Sequence, residues 1–127
     1  MKKKLLIAGG IFLAMILVMF ILVTNGLSEG ANVQIHGIDL TNVADGDYTG
    51  EYDFKRWSET AIVSVRNGEI VEIHADEKNM PDIFSDYNIY EEIIDRVIAA
   101  QNTTVDAVSG ATVSSKALIK AIENAFR

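Results

Sequence analysis

The chain has 127 residues, of which 49% are hydrophobic, and its 18 acidic residues against 11 basic ones give a formal net charge of −7. This length allows one small domain, and the absence of cysteine excludes disulfides, Cys-ligated zinc, iron–sulfur clusters and a lipid-modified N-terminal cysteine. The acidic balance argues against nucleic acid as a partner, since phosphate backbones bind surfaces of the opposite sign.

Residues 1–24 are predicted to form an N-terminal membrane anchor. Three lysines, at positions 2 to 4, precede an unbroken apolar run from Leu5 to Val23. As a helix this run is roughly 28 Å long, which is close to the thickness of a bilayer. An uncleaved anchor is favoured over a signal peptide, whose apolar region is about 7 to 15 residues long and ends at a small-residue cleavage site. The positive-inside rule then leaves the N-terminus in the cytoplasm and the rest of the chain outside the cell membrane.

Residues 25–44 are predicted to be a polar stalk or linker that ends in a short strand around residues 33–40. Residues 45–127 are predicted to be the folded domain. Beyond the three N-terminal lysines, 8 basic residues against 18 acidic ones give a formal charge of −10. Such a domain is expected to stand off an anionic membrane rather than lie flat on it.

The sheet is predicted to begin at Tyr48, because the sequence from there to Phe54 alternates between apolar and polar residues. The alternation places Tyr48, Tyr52 and Phe54 on one face of this first strand. A hairpin follows over residues 60–75.

The hairpin consists of two β-branched runs around an Asn-Gly pair. A two-residue turn at Asn67-Gly68 would place Glu72 on the buried face with Val65. We therefore predict a three-residue loop over residues 66–68, in which Gly68 takes the left-handed conformation. This register pairs Val63 with Val71.

Two helices are predicted after a loop that runs from Asp76 to Asp86 around Pro81, the single proline. Apolar residues then recur at helical spacing and predict an amphipathic helix that ends near Gln101: Ile89, Tyr90, Ile93, Ile94, Val97 and Ile98. A last helix from about Thr112 is predicted to turn one set of residues inward and another outward: Leu118, Ala121, Ile122 and Ala125 inward, and Lys116, Lys120 and Glu123 outward. Strands followed by helices indicate the α+β class, with a small antiparallel sheet covered by two helices.

Small and hydroxyl residues crowd in front of the last helix, among them Ser109, Gly110, Ala111 and Thr112. The first turn of a helix has unpaired backbone N–H groups and attracts anions, phosphate above all. Gly110 would let the backbone approach such a ligand, and Ser109 and Thr112 can donate hydrogen bonds to it. The alternative is that Ser109 or Thr112 simply caps the helix while Ser114 and Ser115 are exposed.

The stretch "VDAVSGATVSS" (residues 105–115) closely resembles the flavinylation motif of the FMN-binding domain family, which includes exported flavin subunits of sodium-pumping and Rnf-type oxidoreductases. Residues 45–52 resemble the family's opening strand, and residues 65–73 resemble its hairpin. The motif is filled by Asp106, Ser109, Gly110, Ala111 and Thr112. The resemblance implies that a flavin transferase attaches FMN covalently, through its phosphate, to the hydroxyl of Thr112.

The chain departs from the family pattern at two places. Many relatives have Thr where Ser114 stands, and several have a glycine-richer first hairpin than "DFKRW" (residues 53–57). No family role is therefore carried over to Trp57, which could stack on the flavin ring or be a structural core residue. Tyr48, Tyr87 and Tyr90 are weaker candidates for that contact.

The resemblance implies a membrane-anchored, extracytoplasmic flavoprotein that carries electrons between a membrane-bound donor and an external or membrane acceptor, rather than an independent enzyme. The alternative is a non-flavinylated binding or assembly module of a membrane redox complex. Asp106 is expected either to contact the transferase or to cap the turn. No metal site is expected, because His36 and His74 lack metal-ligand spacing.

Overall fold

A computed structural model describes residues 1–76 and 89–127. The first helix, α1 (Lys2–Thr24), has 23 residues and buries none of them. Within the described part of the chain it is the one helix that is long and apolar enough to cross a membrane. The predicted anchor is therefore a continuous helix with apolar side chains exposed all round, as a lipid environment requires. A short helix, α2 (Leu27–Ala31), follows it.

Three antiparallel strands form one sheet in the order β1 (Gly46–Phe54), β2 (Trp57–Arg66) and β3 (Glu69–Ala75). The central strand β2 alternates between buried and exposed residues, because the described residues cover one face of the sheet. Two helices cover that face, α3 (Ile89–Ala100) and α4 (Thr112–Asn124). Helix α4 packs on β1 and β2, and α3 packs on β3 and α4. The predicted α+β architecture is confirmed.

Strand β1 turns its aromatic residues toward the helices, as its alternation predicted. Tyr48 and Tyr52 are partly buried against the core, and the Tyr48 ring lies 5.4 Å from the ring of Phe126. Between the two tyrosines, on the same face, Gly50 is buried. This glycine lies against the backbone of α4, so strand and helix approach each other closely at this point.

The β2–β3 hairpin has a two-residue turn, and the predicted three-residue loop is wrong. Arg66 pairs with Glu69, and both Asn67 and Gly68 have positive φ angles, of 54° and 77°. The register then shifts by one residue between Ser64 and Val65. The shift is a β-bulge that leaves Val71 as the extra residue of β3, and its side chain is 52% exposed.

The bulge resolves the conflict that had argued against the short turn. Beyond it, Val63 pairs with Ile73, and both side chains are buried, as are Val65 and Ile70 on the turn side. Glu72 is exposed. One extra residue in β3 therefore returns the apolar side chains to the buried face while the turn keeps two residues.

Helix α3 ends close to the predicted position, and its last turn is fastened to the edge strand. Gln101 has a φ of 52° and its side-chain Nε2 donates to the carbonyl oxygen of Ile98. The same side chain accepts a hydrogen bond from the Ile70 N–H at 2.7 Å and donates one to the Ile70 carbonyl oxygen at 2.9 Å. Gln101 thus pairs with the N–H and carbonyl groups of Ile70 on the edge strand β3. The loop predicted around Pro81 lies outside the described residues, as does Tyr87.

The segment predicted as a stalk lies against the domain. Residues 33–40 form no strand in the structure. Instead, partly buried side chains in this segment pack on the core: Ile35, Ile38, Leu40 and Val43. The Asn102 side chain pairs with both backbone groups of Ile38, at 3.2 and 3.3 Å. Lys116 and Lys120 donate to the carbonyl oxygens of Ala31 and Gln34.

Glu123 is buried on α4, and its predicted outward position is wrong. Its side chain is only 1% exposed because residues 34–36 of the preceding segment lie over this part of the helix. Burial alone would raise the pKa of this carboxyl. The His36 backbone N–H, Lys120 Nζ and Arg127 donate to the carboxylate and hold its pKa below the ordinary value instead.

Candidate functional site

The connection between α3 and α4 carries the candidate motif, and its end is fixed to α4. Val108 is buried, and its N–H donates a hydrogen bond of 3.0 Å to Oγ of the buried Ser115. Ser115 is therefore a structural residue rather than an exposed hydroxyl. Because this bond joins the loop to the first turn of α4, residues 109–112 are held between two fixed points.

Among residues 1–76 and 89–127, no side chain caps the first turn of α4. Its N-cap residue is Ala111, with φ −133° and ψ 40°, and neither Ser109 nor Thr112 caps the helix as the alternative interpretation expected. The Ala111 carbonyl oxygen accepts the N–H of Ser115, the first bond of the helix. The N–H groups of the residues between them therefore begin the helix without a side-chain acceptor, which leaves the positive end of the helix dipole available to an anion.

Three of the predicted site residues are exposed side by side at this helix start: Ser109, Gly110 and Thr112. Gly110 has a φ of 82°, and a Cβ atom built on it would meet nothing within 4 Å. The conformation favours glycine, while the surrounding space is open. Ala111 is partly buried against the core. The exposed Thr112 hydroxyl therefore lies at a helix start next to open space at Gly110.

Asp106, the remaining predicted residue, is exposed, and its side chain accepts no hydrogen bond from the described residues. Its backbone is held instead, because Arg96 Nη1 donates to the carbonyl oxygens of Asp106 at 2.8 Å and Ala107 at 3.2 Å. The other guanidinium nitrogen is paired with Glu92. The capping role considered for the Asp106 carboxylate is therefore not seen here, and the carboxylate is free to be recognised.

Arg96 is a site residue that the sequence analysis missed. An open groove of about 740 Å³ lies between the end of α3 and the motif segment, lined by Arg96, Ala99, Ala100, Val105, Asp106 and Ser109. In the sequence, Arg96 fits the solvent face of an amphipathic helix and forms an ordinary i,i+4 pair with Glu92. The charge of Arg96 lies beside the motif only because the chain after α3 runs back along that helix.

Trp57 has a structural position in the sheet. Its side chain is 9% exposed, its ring stacks on that of Phe54 at 6.2 Å, and the guanidinium of Arg56 lies 4.4 Å from its centroid. These contacts favour the structural interpretation of the tryptophan. Tyr90 is also occupied, because its hydroxyl donates to Glu59 at 2.6 Å.

Glu59 is a buried carboxyl that the sequence did not single out. It is 4% exposed on β2, and its Oε2 has no hydrogen-bond partner among the described residues. Burial raises its pKa to about 7, against the lowering effect of the Tyr90 hydrogen bond and with a smaller raising effect from Asp76. It lines a second cavity of about 310 Å³ with Tyr52 and Asp76.

Comparison with known proteins gives one family. A family model described as FMN-binding domain matches residues 23–127, which is most of the chain and includes the whole sheet, both covering helices and the motif. No curated protein matches the chain closely enough to be compared.

Proposed function

The chain belongs to the FMN-binding domain family, and on that premise we propose that it is a membrane-anchored flavoprotein electron carrier with FMN attached covalently, through its phosphate, to Thr112. The observation that carries the proposal is the exposed Thr112 hydroxyl at the uncapped start of α4. It stands in a motif of which three other members, Asp106, Ser109 and Gly110, are also exposed.

The helix start suits a phosphodiester in charge as well as in space. A phosphodiester keeps one negative charge, which the first turn of α4 stabilises by about 0.3 to 1 kcal/mol. Arg96 lies at the neighbouring groove, where its charge is shared with Glu92, while the exported part as a whole has an excess of acidic residues. Free FMN would be repelled by that excess and diluted outside the cell. A covalent bond removes the dissociation step and keeps the ring near the domain.

The attachment step makes one phosphorus–oxygen bond and breaks another. The Thr112 oxygen attacks the phosphorus next to the flavin in a flavin–nucleoside diphosphate, and the hydroxyl proton passes to a base of the transferase. The nucleoside monophosphate is the leaving group. The exposed position of residues 109–112 gives a transferase access to this hydroxyl. Asp106, with an exposed carboxylate, is the recognition residue that we propose for that enzyme.

The proposed location is the outer face of the cell membrane. Lysines 2 to 4 precede α1, and acidic residues dominate after it, so the positive-inside rule places the N-terminus in the cytoplasm. There the bound flavin, which supplies the redox chemistry, would accept electrons from a membrane-bound donor and pass them to an external or membrane acceptor.

Flavin attachment is tested by co-expression with a flavin transferase, followed by a denaturing gel under ultraviolet light and by intact mass. We expect a fluorescent band and the added mass of FMN. Thr112→Val removes the hydroxyl at nearly constant volume and should abolish both signals. The matched control is Thr104→Val, the same change at an exposed threonine outside the motif, which should retain both.

A fluorescent band that survives Thr112→Val rejects the assigned attachment residue. Unmodified mass in the native chain, from cells whose transferase loads another protein, favours the non-flavinylated binding or assembly module instead. Orientation has its own test, because the chain has no cysteine. A single cysteine introduced as Glu72→Cys should react with a membrane-impermeant maleimide on intact cells, whereas Lys3→Cys should not.

A further inference from the structure

The turn between β1 and β2 lies at the end of the membrane helix. Lys55 and Arg56 form this two-residue turn, since Phe54 pairs with Trp57 across it. Arg56 Nη2 donates a hydrogen bond of 2.7 Å to the carbonyl oxygen of Val23, the last residue of the apolar run. The domain therefore meets its own anchor at the point where the apolar sequence stops.

Lys55 strengthens this connection. Its Nζ donates to Oδ1 of Asn25 at 3.0 Å and lies 3.9 Å from a carboxylate oxygen of Glu29. Its aliphatic stem passes over Gly26, where an added Cβ would fall 2.7 Å from Lys55 Cδ. The turn is thus seated against residues 23–29, where Glu29 forms an ion pair with Lys55.

The depth of the turn follows from the length of the apolar run. With α1 spanning a bilayer, the hydrocarbon ends close to Val23, and the head-group layer occupies about the next 5 to 7 Å. A guanidinium in contact with the Val23 carbonyl lies in that layer, where lipid phosphates lie. Arg56 offers several N–H donors, and its guanidinium carbon lies 4.4 Å from the centre of the Trp57 ring.

The residue types at this turn are those that membrane interfaces select. Basic side chains can extend to the head-group level while their stems pack on protein, and Lys55 and Arg56 are both exposed. The turn also opposes the charge of the rest of the domain. An acidic domain would be repelled by an anionic membrane. Lys55 is paired with Glu29, so the local attraction that the net charge conceals comes mainly from Arg56.

We propose that the Lys55–Arg56 turn is a binding site for anionic lipid head groups, which seats the β1–β2 end of the sheet on the membrane surface. The inference depends on insertion of α1 and is independent of flavin attachment. It replaces the expectation that the acidic domain simply stands off the membrane.

Trp57 is the single tryptophan of the chain and lies beside Arg56, so its fluorescence reports on this turn. The full chain, prepared without flavin loading, is reconstituted into vesicles of phosphatidylcholine alone or mixed with phosphatidylglycerol, and flotation checks insertion. The readout is the ratio of Trp57 emission with and without a head-group spin-labelled lipid. We expect stronger quenching with phosphatidylglycerol, and loss of the difference at high salt.

Arg56→Gln should lower the ratio of membrane-bound to unbound domains about five-fold in the mixed vesicles. Arg56→Lys should restore most of this ratio. The matched control is Arg66→Gln, the same change at the opposite end of β2, roughly 30 Å away, which should leave the quenching unchanged. Equal quenching in both vesicle types overturns the proposal. It is also overturned if Arg66→Gln acts as strongly as Arg56→Gln, or if the chain does not float with the vesicles.

Discussion

A Cβ atom built on Gly50 would lie 1.9 Å from the carbonyl oxygen of Ala121. The next nearest atoms, the nitrogen and Cα of Ala125 at 2.3 and 2.9 Å, also belong to the backbone. Strand β1 and helix α4 therefore approach each other only because position 50 has no side chain. Since α4 begins at Thr112, this contact at its far end helps to fix the helix that presents the motif.

Gly50→Ala should destabilise the domain by about 3 kcal/mol or more, because backbone atoms cannot move aside as a flexible side chain can. The measurement is urea unfolding of the detergent-solubilised chain, followed by the fluorescence of Trp57. Gly46→Ala on the same strand is the control. There a Cβ meets only ring atoms of Tyr48 at 3.7 Å and beyond, so we expect a change within about 0.5 kcal/mol. Equal effects would contradict the close approach.

The bulge predicts opposite outcomes for one substitution at two valines. Val71→Thr should change the unfolding free energy by less than about 0.5 kcal/mol, because this side chain faces solvent. Val63→Thr, at a fully buried position on β2, should cost about 1 to 3 kcal/mol, since it buries a hydroxyl without a partner. A large cost at Val71 would restore the three-residue loop, in which the two valines pair.

Glu59 should make the domain less stable as the pH rises toward 8. Burial raises its pKa from 4.5 to about 7, so the folded state favours the protonated form. The stability from this group is complete below about pH 4.5 and is lost as the pH rises through about 7, roughly 3 kcal/mol in all. Glu59→Gln keeps this side chain neutral, so the unfolding free energy should depend less on pH over this range. Glu72→Gln, on the exposed side of β3, should leave the slope as it is.

Ser115→Ala should loosen the motif segment. It removes the acceptor of the buried Val108 N–H, which costs about 1 to 2 kcal/mol. Hydrogen exchange of the Val108 amide should accelerate about tenfold or more. The neighbouring Ser114→Ala is the control, since Ser114 is not the acceptor of this bond. Unchanged protection at Val108 in the Ser115 variant would show that another group holds the loop.

Hydrophobic periodicity predicted residues of the core but not every local backbone feature that places them there. The inward positions of Val63 and Val65 follow from parity, but the predicted register placed Val71 rather than Ile70 inward. Parity also identified the conflict at Glu72. A bulge at Val71 resolves that conflict. No residue type marks the bulge, because valine suits a regular strand and a bulged position alike. The sequence could therefore indicate the conflict without choosing between its two solutions.

Long-range contacts explain the other differences. Glu123 was assigned to solvent because helical spacing places it beside lysines, yet the segment ending at His36 folds back over it. Arg96 was assigned to an outer face for the same reason, and the chain returns past it after α3. The motif itself was visible, because Ser109, Gly110 and Thr112 are neighbours in sequence and need no distant partner to be brought together.

The contacts of residues 31–38 with α4 and Asn102 leave little slack between bilayer and sheet. A free chain of twenty residues would let the domain roam about 25 Å from its anchorage. Here hydrogen bonds fix the chain to the domain at Ala31, Gln34, His36 and Ile38, so the connection between α1 and the domain is short. The start of α4 is then held at a set height above the lipid, and a redox partner has to bring its own cofactor to that level.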